Sequence, residues 1–409
     1  MTTGPNALTH SRTHALIPPL TAPFPIFAAT APGLEPLAAA ELRALGIQAV
    51  PEQGGVAWEG SVEELYTANL WLRTASRVTV GAAEFRARTF FELERHARKV
   101  PWERWVAKGR AVRLRVTSRK SKLYHEGAIA ERVLDAIERR VGGLGGAEVA
   151  RDDEGDEDAG DAQLFIVRFV RDGCIVRADA SGALLHLRGY RQAVARAPLR
   201  ETLAAAALLG SRWPGDAPLL DPMCGSGTIP IEGALMARNI APGLAGADRE
   251  PRRFAFQEWP DVDAAAWRRV VERAQSAIRP SSPAPIQGSD RDAGAIEAAT
   301  SNAERAGVLA DVELAVAPVS AIDPPAGPGW IVTNPPYGVR VGDTEALRNL
   351  YAALGHAARH RAPGWTMALL SAESRLDAQV GVAFENALQT RNGGIPVHLA
   401  VGRVNQLLR

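Results

Sequence analysis

LLDPMCGSGTIPIEGALMA, residues 219–237, decides the fold. Leu219 and Leu220 close a short apolar run, and the acid Asp221 follows at once. Gly225 and Gly227 come next, and the apolar stretch after them reads as a helix. That is strand, turn and helix, with glycines where backbone must come close to a ligand. The turn lacks the lysine of a P-loop and the full dinucleotide fingerprint. An acid at the strand end argues against a phosphate in this turn and for a cationic ligand.

The same alternation continues on both sides. ETLAAAALLG, residues 201–210, reads as a helix closed by Gly210. Ile286 and Gln287 lead to Gly288-Ser289-Asp290, and an alanine-rich helix then runs to Gly307. Further strands are predicted at 312–316, 330–332 and 366–370. Strands alternating with helices predict an α/β fold with a doubly wound, mainly parallel sheet. Ligands of such sheets bind beyond the carboxyl ends of the strands. Asp221 and Asp290 both fall there, and so does TNPPYG, residues 333–338. Asp290 suits a ribose diol, and its plainer reading is a helix N-cap.

TNPPYG makes a stiff corner that is poor in donors. Each proline gives up its N–H and fixes its own φ, and the first pushes Asn334 into an extended conformation. A planar exocyclic amine, on a nucleobase or an amide, is a poor nucleophile because its lone pair is delocalised. The Asn334 side-chain oxygen and the Pro335 carbonyl can both accept its hydrogens. They would localise the lone pair in the transition state, with Tyr337 stacked on the base. The alternative is a plain proline-rich turn.

The first half reads as a smaller α/β unit. Leu34, Leu37, Leu42 and Leu45 share a face of a helix over 33–46, with Gly46 suited to C′. Ser61 and Glu64 form a capping box. A period-2 strand covers 112–116, a helix about 127–140, and strands 164–170 and 174–178. Asp172-Gly173 between the last two signals a hairpin.

Among 409 residues, 46% are apolar and 23% charged, ordinary for a globular protein. No apolar run is long enough to span a bilayer. The Thr- and Pro-rich start reads as a disordered tail rather than a signal peptide. Two cysteines, Cys174 and Cys224, argue against a disulfide framework or a cysteine zinc site, and no metal is expected. The cytoplasm is the default expectation. Net charge is only +1, but residues 86–122 hold thirteen lysines and arginines against three acids. Arg119, Lys120 and Lys122 flank a strand end, and Arg188, Tyr190 and Arg191 precede the second half. These cations fit RNA phosphates, or simply a solvated basic face. The acidic run at 152–161 reads as a solvated loop.

Asp221 to Thr228, Asp290 and Asn334-Pro335-Pro336-Tyr337 together resemble class I, S-adenosylmethionine-dependent methyltransferases of exocyclic amines. FAATAPGLEPLAAAELRALG, HLRGYR, APLRETLAAA, DPMCGSGT, IAPGL, TNPPYG and RNGG are similar to the RlmL-type large-subunit ribosomal RNA guanine-N2 methyltransferases. The resemblance covers the chain from about Phe27 onward. It implies a disordered tail (1–25), a ferredoxin-like segment (26–64), a THUMP RNA-binding domain (65–182), a linker (183–200) and a Rossmann-like methyltransferase domain (201–409). It implies that Asp221, Gly225 and Gly227 cradle the methionine part of S-adenosylmethionine. Thr202 would lie near its carboxylate, and Asp290 on its ribose. Asn334, Pro335 and Tyr337 would position the guanine. Arg119, Lys120, Lys122, Arg188 and Arg191 would touch ribosomal RNA, and a monomer away from membranes is expected. Pro318 stands where relatives often carry an acid near the adenine. Some relatives fuse a second methyltransferase domain, and none is expected here. A tRNA enzyme of the same architecture, a DNA adenine-N6 or protein glutamine methyltransferase, and a non-catalytic assembly factor are the competing readings.

Overall fold

A computed structural model describes residues 23–150, 160–192, 199–337 and 344–405. Most of the expected tail and of the acidic run lies outside the described residues, as do part of the 183–200 linker and Gly338.

The chain opens with β1 (Phe24–Thr30), α1 (Glu35–Ala44), β2 (Val50–Glu52), β3 (Gly55–Gly60) and α2 (Val62–Trp71). Next come β4 (Ala75–Arg86), α3 (Phe90–Ala97), β5 (Ala111–Arg119), α4 (Glu126–Val141), β6 (Gly146–Ala150), β7 (Gln163–Val170) and β8 (Gly173–Asp179). Then follow α5 (Glu201–Gly210), β9 (Leu219–Asp221), α6 (Thr228–Ala237), α7 (Ala264–Ser276), β10 (Ile286–Asp290), α8 (Ala293–Arg305) and β11 (Glu313–Val316). The last elements are β12 (Trp330–Thr333), α9 (Thr344–Arg361), β13 (Thr366–Ser371), α10 (Ser374–Val380), β14 (Phe384–Asn392) and β15 (Ile395–Arg403). Local chemistry accounts for several ends. Gly46 ends α1 at φ +82°. The Ser61–Glu64 capping box opens α2, and a second box, Thr89–Glu92, opens α3.

The chain divides into two compact units. One gathers Thr79–Gly182 and Ala255–Val262. Its strands run in the order β4-β8-β7-β5-β6. β5 is parallel to both β6 and β7, and the other neighbours are antiparallel. Val112, Leu114 and Val116 alternate inward along β5, and the buried rings of Trp102 and Trp105 meet Phe165 edge-on. The sequence puts the β7–β8 turn on Asp172-Gly173, but it comes one residue earlier. Val170 pairs with Gly173, while Arg171 and Asp172 take φ +50° and +65°. Two consecutive left-handed residues are what a two-residue hairpin needs. Gly173 is thereby released to start β8.

The other unit holds Ile26–Val78, Ala183–Phe254 and Asp263–Arg409. Its main sheet runs β11-β10-β9-β12-β13-β15-β14. The first five strands are parallel, and the β14–β15 hairpin adds the antiparallel edge. The order reverses between β9 and β12, the switch point where such sheets bind ligands. α5 and α6 are apolar on nearly every face, and nearly all their residues are buried, as such helices must be. Ile331, Met367, Leu369, Tyr351, Leu354 and Trp365 belong to one core cluster. Within the same unit α1 lies against α5 and α2 against α7. The backbone of Gly33, at φ +87°, sits so close to β14 that a Cβ would overlap the Gln389 carbonyl oxygen.

Candidate active site

Register brings the site together. Gly288 is level with Asp221 across β9–β10, so Asp290 stands two residues farther out. Ile331 is level with Leu220 across β9–β12, so Asn334 lies beyond the sheet edge on the other side. Both flank the glycine turn.

Asp221 is 1% exposed, and its Oδ1 accepts the Met223 N–H at 3.2 Å. Burial pushes its carboxyl up to about 7, and the nearby Asp290 charge pushes the same way. A buried acid with no cation beside it among the described residues is the environment that a positively charged ligand relieves. Cys224 N–H donates to the Ser289 carbonyl at 3.0 Å, tying the turn to β10. Gly225 and Gly227 have φ +52° and +84°. A Cβ on Gly225 would meet nothing within 4 Å, which leaves the turn open to a ligand. A Cβ on Gly227 would come within 2.9 Å of Ala299, so that glycine serves the packing of α6 on α8.

Asp290 is not the cap of α8. Asp292 caps it, accepting from Gly294 N–H at 2.9 Å. Asp290 Oδ2 accepts from Gly225 N–H and Oδ1 from Asp292 N–H, both at 3.0 Å. Each oxygen keeps a second lone pair for a diol. Ala317 N–H donates to the Asp290 carbonyl at 2.9 Å, which fixes the chain leading to the exposed Pro318. Thr202, in the first turn of α5, is 8% exposed.

Asn334 Oδ1 is buried and accepts from no group among the described residues. Pro335 is buried and Tyr337 half-buried. The corner is braced twice: Tyr351 Oη donates to the Pro336 carbonyl at 3.4 Å, and Asn392 Nδ2 donates to Tyr337 Oη at 2.9 Å. Acceptors fixed beyond the switch point, an open glycine turn and a buried acid together fit a cationic methyl donor and an amine.

The RMKL-like methyltransferase domain matches residues 188–400, and the RlmL ferredoxin-like domain matches residues 25–79. The chain belongs to the RMKL-like methyltransferase family. A Synechocystis sp. protein, provisionally named an RNA methyltransferase, is 35% identical over 92% of this chain and 95% of its own length. The ribosomal RNA large subunit methyltransferase K/L of Syntrophotalea carbinolica is 37% identical over 93% of this chain. That match takes in 53% of the relative, so this chain spans about half the length of the K/L proteins. The solved SMU.472 structure, provisionally classed as a methyltransferase and complexed with SAH, superposes with a TM-score of 0.81. It is 30% identical and covers 95% of this chain. The fold is thus that of an S-adenosylmethionine-dependent methyltransferase, preceded by a ferredoxin-like segment.

Two of the cations assigned to RNA are not at the surface of this RMKL-like chain. The Arg188 side chain is 1% exposed. Its Nε faces Glu232 Oε1 at 3.4 Å, and its Nη atoms donate to the Leu185 and Arg73 carbonyls. Tyr190 Oη donates to the same Glu232 oxygen at 3.1 Å. Arg191 pairs with the buried Glu201 at 3.2 Å and donates to the Leu199 carbonyl. HLRGYR therefore builds an internal polar network. A sequence signal existed, since Glu232 and Glu201 sit in otherwise apolar helices and need buried partners. Arg119, Lys120 and Lys122 are exposed at the end of β5, as expected. Asn392, part of the RNGG stretch, had no role assigned from sequence, although it holds Tyr337.

Proposed function

We propose that this chain transfers a methyl group from S-adenosylmethionine to the N2 amine of a guanine in large-subunit ribosomal RNA. The names of its relatives support RNA, and the ribosomal specificity follows the K/L proteins. The buried, unpartnered Oδ1 of Asn334 carries the chemistry. Among the described residues it is an acceptor without a donor, on a corner that two hydrogen bonds brace.

When bound, the cofactor supplies an electrophilic methyl on a sulfonium sulfur. Asp221 and the Gly225–Gly227 turn would hold its methionine part, with Thr202 near the carboxylate, and Asp290 would take the ribose diol. Pro318 would border the adenine. Asn334 Oδ1 and the Pro335 carbonyl would each accept an amine hydrogen, which localises the lone pair of the nitrogen for transfer. Forming the N–C bond would break the sulfonium S–C bond, with the neutral thioether leaving, and the two acceptors would stabilise the positive charge that builds on the nitrogen. The extra proton then leaves to solvent. Tyr337 stacks on the base and fixes its plane. Exposed Arg119, Lys120 and Lys122 supply phosphate contacts from a THUMP-like RNA-binding unit. The layout is a ferredoxin-like segment, that unit, a linker and the methyltransferase domain, working as a cytoplasmic monomer.

The test is nucleoside mass spectrometry. Purified chain and methyl donor are added to large-subunit RNA from cells lacking the gene. N2-methylguanosine at one position is the expected product. Methylation of tRNA alone, or of adenine in DNA, would replace this substrate assignment.

A further inference from the structure

The core cluster beneath the carboxyl edge of the sheet carries buried polar groups among its apolar ones. Leu354, Met367, Leu369, Leu376 and Ala400 belong to that cluster, and Tyr351 lies among them at 0% exposure. Alternation along β13 puts Ser371, also 0% exposed, on the same face as Met367 and Leu369. Across β13–β15, Leu369 is level with Ala400 and Ser371 with His398, so these four side chains share one face. On that face Asp377 of α10 reaches His398 Nε2 at 2.6 Å. Polar groups kept inside an apolar core need a reason, because leaving them unpaired is costly.

The Tyr351 hydroxyl connects this core to the Asn334–Tyr337 corner. It donates to the Pro336 carbonyl at 3.4 Å. Burial pushes the phenol up, the Ser371 hydroxyl beside it pulls back as a hydrogen-bond partner, and the Asp377 charge pushes up again. The phenol therefore keeps its proton and stays a donor. Ser371 is held in turn, since its Oγ accepts the Glu373 N–H at 3.2 Å.

Torsions show what one such bond controls. The rings of Pro335 and Pro336 lock two φ angles, so little backbone freedom is left between Asn334 and Tyr337. β12 holds the chain on the Asn334 side. Fixing the Pro336 carbonyl on the other side leaves the Pro335 carbonyl between two anchored points. We infer that Tyr351 is a positioning residue for methyl transfer, whose hydroxyl sets from the core the direction in which Asn334 and the Pro335 carbonyl meet the substrate amine. The inference rests on the amine-acceptor role proposed for that corner and deepens it. Tyr351 is fully buried and acts through the backbone of Pro336.

Two arms test it in the full chain. Tyr351→Phe keeps the ring in the core and deletes the hydroxyl. Tyr66→Phe is its control, because Tyr66 is also buried and its hydroxyl accepts the Asp263 N–H at 3.1 Å, beside Trp267 of α7. Both variants should melt somewhat below wild type. Tyr351→Phe should lower kcat about fivefold, the loss of one neutral hydrogen bond. KM for large-subunit RNA and affinity for S-adenosylmethionine should stay within about twofold, as for an interaction that counts only in the transition state. Tyr66→Phe should keep its kcat. An unchanged kcat in Tyr351→Phe overturns the role, and so does an equal fall in Tyr66→Phe. The second arm needs no turnover. The chain is labelled with 15N-asparagine, and the side-chain amide of Asn334 is assigned by its loss in Asn334→Ala. That signal should shift or broaden in Tyr351→Phe and stay in place in Tyr66→Phe. A signal unmoved in Tyr351→Phe, or moved equally in both, overturns the role. A wild-type chain that methylates no large-subunit RNA sinks the substrate reading, and the second arm then decides Tyr351 by itself.

Discussion

Asn392 Nδ2 donates to Tyr337 Oη at 2.9 Å, so the hairpin at the far edge of the sheet grips the ring at the Asn334–Tyr337 corner. The ring is not free to choose its plane. Asn392→Ala and Tyr337→Phe each remove this bond and leave the ring in place. Each should lower kcat/KM about tenfold, the upper range for one neutral hydrogen bond. The double variant should lose no more than either single one, because both delete the same contact. Tyr337→Ala should cost more, since base stacking is worth roughly 1–3 kcal/mol. Additive losses for Asn392→Ala and Tyr337→Phe in steady-state kinetics would separate the two residues.

Asn334→Ala removes a buried acceptor that accepts from no group among the described residues. Methyl transfer should fall by about 10²- to 10³-fold, as when a preorganised polar contact is lost. The fold should not suffer, because no internal hydrogen bond of that oxygen is broken. Calorimetry should find S-adenosylmethionine affinity unchanged. A variant with full activity would return the corner to a plain turn.

The C-terminal sheet was readable because its signals are local. Apolar runs end in acids or TNPPYG at β9, β10 and β12, and the carboxyl-edge rule then places Asp221, Asp290 and Asn334 together. Arg188 and Arg191 were misread because exposure is not local. An arginine in HLRGYR looks the same whether it meets water or Glu232, and Glu232 lies 44 residues away. Asn392 was missed for the same reason, being 55 residues from Tyr337. The β7–β8 turn slipped by one residue because Arg171 adopts the left-handed region without being glycine.

Asp221 sets opposite demands on stability and binding. Burial raises its carboxyl from 3.8 to about 7, so the fold favours the protonated form. The stability from this group is therefore complete below about pH 4 and is lost as pH rises through 7. Asp221→Asn should melt several degrees above wild type near pH 8, the gap closing toward pH 4–5. The cationic donor favours the ionised form instead. Wild-type affinity should rise with pH up to about 7 and then level off, while Asp221→Asn should bind weakly at every pH. Parallel melting curves at both pH values would show that Asp221 is not the strained group.

Two classes of arginine should answer salt and denaturant in opposite ways. Arg188 and Glu232 are 1% and 0% exposed, a pair whose halves cannot be solvated separately. Arg188→Ala leaves Glu232 with a buried charge, as when one partner of an internal pair is removed, and should cost roughly 3–5 kcal/mol in urea unfolding. RNA binding by the fraction that remains folded should keep its salt dependence. Arg119, Lys120 and Lys122 are exposed, and reversing all three should leave stability nearly unchanged. Each phosphate contact adds about 0.7–0.9 to the slope of log affinity against log salt. The triple reversal should therefore flatten that slope by roughly two units, with no change in S-adenosylmethionine binding. Filter binding across a salt series reads the slope directly. A slope that drops with Arg188→Ala and survives the triple reversal would move the RNA contacts back to HLRGYR.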